Sequence, residues 1–295
     1  MCIVFWTLDH PDYSLIICSN RDEFLERRTR NAHFHSFNHE ATHKDSILSG
    51  IDEVGGGTWF GMTRTGKVAL LTNVTEPPAT FNSSRGSLVS SFLLSDSPGS
   101  TLQEEVERLY PRDARYAGFN MLLLAPVSTT TTEFQYDASF VTNGGAGGAI
   151  SSRPLSAVEK AGGGFSNGID GRGGSEWPKV QHGMRDFQAA LQSHSLEGLT
   201  EAEFTDRLFE LLTWKCPAPV TNRSELRNTV EVAPIPITLE STKFYGTRLS
   251  TVVLVRRDMH VTFIERDIWK EVNGKVERMP ASSERKFCFK LHTVT

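Results

Sequence analysis

Cysteine is scarce in this sequence, with only Cys2, Cys18, Cys216 and Cys288 scattered over 295 residues. No two of them stand in the Cys-x-x-Cys spacing of a zinc or thiol-redox site, and so sparse a set cannot staple a disulfide scaffold. Long hydrophobic runs are missing too. The longest, Met121 to Val127 and Leu249 to Val255, are of strand length, well short of the roughly 18 to 20 apolar residues of a membrane-spanning helix. Positive charge is not in excess: 31 Lys and Arg stand against 35 Asp and Glu, a net charge of −4. Together with the lack of interleaved basic and aromatic residues, this argues against a nucleic-acid partner. No cationic stretch precedes the apolar Cys2 to Trp6 segment, and Asp9 and Asp12 follow it, so the start reads as a strand and not as a targeting peptide. These absences predict a cytoplasmic protein with reduced thiols and no transmembrane segment.

Hydrophobic residues make up 38% of the chain and include 18 Phe, enough for a folded core. Cys2 to Leu8 and Tyr13 to Ser19 read as a hairpin around His10-Pro11-Asp12, and Thr58 to Met62 with Lys67 to Thr72 as another. Helical stripes follow at Leu88, Val89, Phe92 and Leu93, then at Leu102, Val106 and Leu109 with Thr101 and Glu104 placed as a capping box. Strand character returns over Phe119 to Ala125 and Thr132 to Tyr136. Trp177-Pro178 opens a helix whose face is Val180, Met184, Phe187 and Leu191, and Phe204, Leu208 and Leu211 mark another. Strands at Leu249 to Arg256, Val261 to Arg266 and Phe287 to Leu291 close the chain. Residues 143 to 174 hold 11 of the 24 glycines and read as a loop. Strands at both ends around central helices predict one α+β domain spanning residues 1–295, its termini sharing a sheet.

Cys2 is the sharpest chemical feature. Removal of Met1 would leave its thiol beside a free α-amine, which can serve as the thiol's base in an N-terminal nucleophile arrangement. A second-position cysteine can equally be a small buried hydrophobe. The polar run Asn20-Arg21-Asp22-Glu23 follows strand two, and a hairpin would return it to Cys2. Arg21 could then hold a carboxylate or lower the thiol pKa, and Asp22 could accept from the α-ammonium; a structural ion pair is the plainer alternative. Asn73 and Asn167 are candidate oxyanion donors or Asx turns, and Arg248 is a second candidate cation. His33, His35, His39 and His43 crowd eleven residues. On a helix, His35, His39 and His43 would share a face suited to a metal or haem iron, although no further ligand pattern completes a metal set. The glycines at 144, 145, 147 and 148 form no phosphate loop, because no GxxxxGK[ST] or GxGxxG pattern is present.

Met1-Cys2-Ile3-Val4-Phe5 followed by Ser19-Asn20-Arg21-Asp22-Glu23-Phe24 resembles the start of the NRDE family. Similar stretches are Gly56 to Gly61, Gly66-Lys67 through Asn73, Arg85 to Val89, Gly118-Phe119-Asn120, Phe165-Ser166-Asn167 with Trp177-Pro178-Lys179, Tyr245 to Arg248, and Val261 to Arg266. The resemblance implies a four-layer αββα sandwich of the N-terminal nucleophile hydrolase type, with two stacked, mostly antiparallel sheets. It relates the chain to cysteine amidohydrolases that cleave bile salts and penicillin V. Their nucleophile maps to Cys2, and their other site residues map to Arg21, Asp22, Asn73, Asn167 and Arg248, with altered spacing around Arg21. It also implies a trafficking role: a haem or lipid carrier or adaptor supporting Golgi organisation and secretion, associated with Golgi or mitochondria. The alternative is an amidohydrolase acting on a small amide or acyl substrate through Cys2. Hydrolysis would need no cofactor, and haem would be a transported ligand.

Overall fold

The computed structural model describes residues 2–39, 46–77, 80–81, 83–96, 100–110, 114–127, 134–236 and 243–292. In chain order the elements are β1 (Ile3–Thr7), β2 (Tyr13–Phe24), β3 (Thr29–His35), β4 (Ile47–Asp52), β5 (Phe60–Thr63), β6 (Val68–Asn73), α1 (Gly86–Leu94), α2 (Leu102–Leu109), β7 (Phe119–Pro126), β8 (Tyr136–Thr142) and β9 (Ser151–Pro154). They continue with α3 (Ala157–Ala161), β10 (Gly163–Phe165), α4 (Pro178–Glu197), α5 (Glu201–Leu211), β11 (Ile235–Pro236), β12 (Phe244–Arg256), β13 (His260–Asp267), β14 (Trp269–Val272), β15 (Lys275–Arg278) and β16 (Arg285–Lys290).

Two compact units interleave along the chain. The first comprises Met1–Arg27, Ala157–Arg256 and Val261–Cys288; the second comprises Arg28–Ser156, Arg257–His260 and Phe289–Thr295. One sheet runs β10-β1-β2-β12-β13-β16, with β11 added to β12. On one face of it, Ile3, Phe5, Ile16, Cys18, Val252 and Leu254 meet Val180 and Phe187 of α4 and Phe204 and Leu208 of α5 in a buried core. The alternation of strand side chains explains why odd residues of β1 and even residues of β2 and β12 share this face. The sheet of the second unit follows sequence order from β3 to β9. Ala69, Leu71, Met121 and Leu123 of its strands pack against Leu88, Val89 and Phe92 of α1 and Val106 of α2. Each unit therefore supplies a sheet layer and a helical layer. The fold is α+β with two antiparallel sheets.

The anticipated hairpins and helices form. The Thr101 capping box at α2 is complete in both directions, and Thr200 with Glu203 repeats it at α5. Three expectations need correction. The Asn20 to Glu23 run does not follow strand two, expected to end at Ser19. It is the continuation of β2, held by pairing with β12 (Leu249↔Arg21, Thr247↔Asp22, Gly246↔Glu23). The segment 143–174 is not one loop, because β9, α3 and β10 lie within it. Its glycines have a packing reason: β10 pairs with β1 at Gly163↔Trp6 and Gly164↔Phe5, and a Cβ on Gly163 would stand 2.1 Å from the Trp6 ring. The strand expected at Thr132 to Tyr136 is instead Tyr136–Thr142, and residues 132 and 133 lie outside the described residues.

The described part of the histidine cluster is not helical. His33 and His35 lie on β3, His39 is exposed in a turn, and His43 lies outside the described residues. Both ring nitrogens of His35 are engaged: Nδ1 accepts the Phe37 N–H at 3.2 Å, and Nε2 meets Ser49 Oγ at 2.8 Å.

Candidate functional site

The register Ile3↔Asn20 between β1 and β2 carries Cys2, the residue just before β1, alongside Arg21 and Asp22. Its Sγ lies 3.9 Å from the backbone oxygen of Asp22. Burial pushes the Cys2 thiol above its ordinary value. The Asp22 carboxylate acts in the same direction, while the chain's α-ammonium, the hydrogen bond to the Asp22 backbone and the Arg21 guanidinium oppose it. At neutral pH the group is a thiol that becomes nucleophilic only when a base or cation offsets this environment.

Asp22 is itself tightly held. Thr247 Oγ1 donates to its Oδ1 at 2.6 Å, and the Tyr245 hydroxyl donates to its backbone oxygen at 2.9 Å. Arg21 and Asp22 are both buried, which for charged residues demands partners and sets them apart from an exposed polar turn. Asn20 has a different task. Its amide donates to Leu212 O (2.8 Å) and Val230 O (3.1 Å) while Ser250 Oγ donates to its Oδ1 at 2.6 Å, so it ties the sheet to the chain beyond α5.

From the other side, the residues that follow β10 reach the backbone of Cys2. Ser166 Oγ donates to Cys2 O at 2.6 Å and also lies 3.1 Å from Asn167 Oδ1. Lys179 Nζ stands 3.4 Å from the same Cys2 oxygen. Lys179 is fully buried, and burial pulls its ammonium down to about 8, against the pull of Asp22 and Cys2 in the opposite direction.

The structure thus gathers Cys2, Arg21, Asp22 and Asn167 within the first unit. Asn73 is the last residue of β6, opposite Phe119, and belongs to the second unit. Arg248 occupies the register shift of β12 between Thr247 and Leu249, a β-bulge of the kind that re-aims a side chain. It donates through Nη1 to Arg27 O, and burial together with the nearby Arg21 pulls it down to about 10. Four residues that contact Cys2 or Asp22 were not singled out from sequence: Ser166, Lys179, Tyr245 and Thr247. Each is adjacent or nearly so to a residue that was noticed. For Lys179 there was a readable signal, a cation in the first turn of a helix announced by Trp177-Pro178, where the helix dipole disfavours positive charge.

The transport and Golgi organisation 2 family profile matches residues 1–270. The chain is 32% identical over 290 residues to the transport and Golgi organization protein 2 homolog of Bos taurus, covering 91% of this chain and 93% of the bovine one. It is 31% identical over 284 residues to the Homo sapiens homolog, with the same coverage. Among solved structures, the N-acylethanolamine-hydrolyzing acid amidase ortholog of Caenorhabditis elegans superposes with a TM-score of 0.48 at 10% identity, over 86% of this chain and 92% of that one. By the extent of the profile match and the identity to the bovine protein, the chain belongs to the transport and Golgi organisation 2 family.

Proposed function

We propose that the Cys2 site binds a small acyl or amide substrate and cleaves it through the Cys2 thiolate once residue 1 has been removed. The observation that carries this reading is the placement of Cys2 Sγ 3.9 Å from the Asp22 backbone oxygen, beside the buried polar side chains of Arg21 and Asp22. In the proposed step the freed α-amine takes the thiol proton and the sulfur attacks the substrate carbonyl carbon. The C–N or C–O bond breaks as the leaving group regains that proton, and water then hydrolyses the thioester and restores the thiol. Asp22 would hold the α-ammonium, and the Asn167 amide would serve the developing oxyanion. Intact-mass analysis of protein purified from cells, followed by reaction with an acyl-type electrophilic probe, tests this reading. The expected result is loss of Met1 and a single adduct on Cys2. Retention of Met1 on the cellular protein would overturn it.

A second reading is favoured by the raised Cys2 thiol, which is protonated at neutral pH, and by membership of a family named for transport and Golgi organisation. In it the chain carries haem or an acyl lipid without covalent chemistry, in support of Golgi organisation and secretion. Saturable haem or acyl-lipid binding that survives Cys2→Ala is the expected result, and no binding of either under reducing conditions counts against it. No described helix is long and apolar enough to cross a membrane.

A further inference from the structure

We infer that Lys179 is a positioning residue of the Cys2 site, fixing the Cys2 backbone together with Ser166 and supplying from within the fold the charge that stabilises the Cys2 thiolate, so that the thiol can be activated while residue 1 is still attached. This rests on the reading of Cys2 as a nucleophile and adds a route to activation that does not use the chain terminus.

The placement of Lys179 is costly for a merely structural residue. It is 0% exposed, where an ammonium loses its hydration. It is also the second residue of α4, at the positive end of the helix dipole. Both effects disfavour the charged form, so a lysine here needs a compensating partner. Its partners include groups of the Cys2 site. The Cys2 carbonyl oxygen receives Ser166 Oγ at 2.6 Å and faces Lys179 Nζ at 3.4 Å. The second distance is long for a hydrogen bond but well within electrostatic reach. Three elements thereby converge on one residue: the end of β10, the first turn of α4 and, through Asp22, strand β2.

The charges make the arrangement responsive. Burial lowers Lys179 to about 8, and negative charge on Asp22 or on Cys2 raises it again. Since a negative Cys2 favours the Lys179 ammonium, the ammonium by linkage favours the Cys2 thiolate in turn. The other titratable groups facing the pair are the chain's α-ammonium, which lowers the Cys2 thiol and itself titrates at about pH 8, Asp22 and Arg21 of β2, and Tyr245 of β12. Burial holds the Tyr245 phenol well above its ordinary value, so it stays neutral while Lys179 and Cys2 change charge. Ser166, Asn167 and Thr247 complete the surroundings without titrating.

The test is peptide-resolved alkylation of Cys2 by iodoacetamide from pH 6 to 10, on full-length protein shown by mass to retain Met1. In that reaction the thiolate displaces iodide and forms a C–S bond, so its rate reads the thiolate fraction. The exposed Cys288 serves as internal standard. Lys179→Met is expected to slow Cys2 labelling about tenfold at pH 8, equivalent to about one unit in the profile, whereas Lys179→Arg, charged throughout, keeps or advances it. Ser166→Ala should change the rate without moving the midpoint. Superimposable profiles for wild type and a folded Lys179→Met would overturn the inference. Should Lys179→Met fail to fold, a Lys179→Arg profile displaced to higher pH would do the same. A shifted profile in a protein that never reacts with acyl probes sinks the hydrolase reading and leaves this one standing.

Discussion

Thr247 on β12 donates its hydroxyl to Asp22 on β2 at 2.6 Å and accepts the backbone N–H of Val232 at 2.8 Å. One buried threonine thus satisfies a carboxylate and an amide that would otherwise lose a partner. Thr247→Val removes both interactions at nearly constant volume. It is expected to lower stability by about 1 to 3 kcal/mol, the cost of exposing unpaired buried polar groups. Thr247→Ser should stay close to wild type. Urea midpoints of the two variants check this, and equal midpoints would show that Thr247 merely fills space.

The close approach of β10 to β1 gives a second prediction. Gly163→Ala places a methyl 2.1 Å from the Trp6 ring, in the interior of a paired strand. Overpacking of this kind costs about 1 to 3 kcal/mol or more. Gly171, at φ +69° with nothing within 4 Å of its Cβ position, should respond to alanine only through backbone strain of about 1 kcal/mol. Because Ser166 and Asn167 follow β10 directly, Gly163→Ala should also raise hydrogen exchange in residues 163–167. A thermal shift no larger than that of Gly171→Ala would contradict the packing argument.

What could be read from the sequence follows from how local each signal is. The faces of α1, α2, α4 and α5 are periodic, and the Thr101 box is a four-residue pattern, so these elements were legible. The Asn20 to Glu23 run was noticed but placed beyond the end of strand two. Its burial depends on β12, more than 200 residues further along the chain, and no local pattern announces that pairing. Strands β14 and β15 passed unnoticed because they form a short, largely polar pair of four residues each. The glycines of β10 looked like loop residues because the volume that excludes a side chain belongs to Trp6 and Phe5. In the site, the residue types Cys, Arg, Asp and Asn were legible, since each is unusual where it stands. The partners Ser166, Tyr245 and Thr247 are ordinary residues whose role comes from register alone.

Glu231 supports a third prediction. It is 1% exposed and accepts from Arg278 Nη2 at 2.9 Å and from Trp269 Nε1 at 3.1 Å, with Lys215 Nζ at 3.1 Å. Through Trp269 and Arg278 it anchors the β14–β15 pair. Burial opposes ionisation of Glu231, but hydrogen bonds from Arg278 and Lys215 outweigh it and hold the carboxyl below its usual value. A carboxylate lowered by folding adds stability above its unfolded pKa, and loses it as pH falls through the folded one. Glu231→Ala removes the acceptor on which Trp269, Arg278 and Lys215 converge; with Arg278 43% and Lys215 47% exposed, water screens the two cations, and the cost should be about 1 to 2 kcal/mol. Protease cleavage within residues 269–278 should rise in the variant, and in wild type as acid protonates Glu231. Unchanged cleavage in Glu231→Ala would show that the pair is held by other contacts.

The buried Lys179 should leave its mark on stability as well as on reactivity. Its ammonium is lowered to about 8 in the folded chain from an ordinary value of 10.5. Below pH 8 both folded and unfolded chains hold the proton, and the folded state bears the full cost of a buried charge. Between about 8 and 10.5 the unfolded chain binds more protons than the folded one, so this contribution to stability rises with pH, by about 3 kcal/mol across the window. Lys179→Met lacks the group and should show no such rise. The difference in unfolding free energy, wild type minus Lys179→Met, is therefore expected to climb from pH 7.5 to 10 in paired urea titrations. A difference that stays flat would mean that Asp22 and Cys2 compensate the ammonium fully. A falling difference would mean that the charge stabilises the fold, and would reverse the sign of the argument.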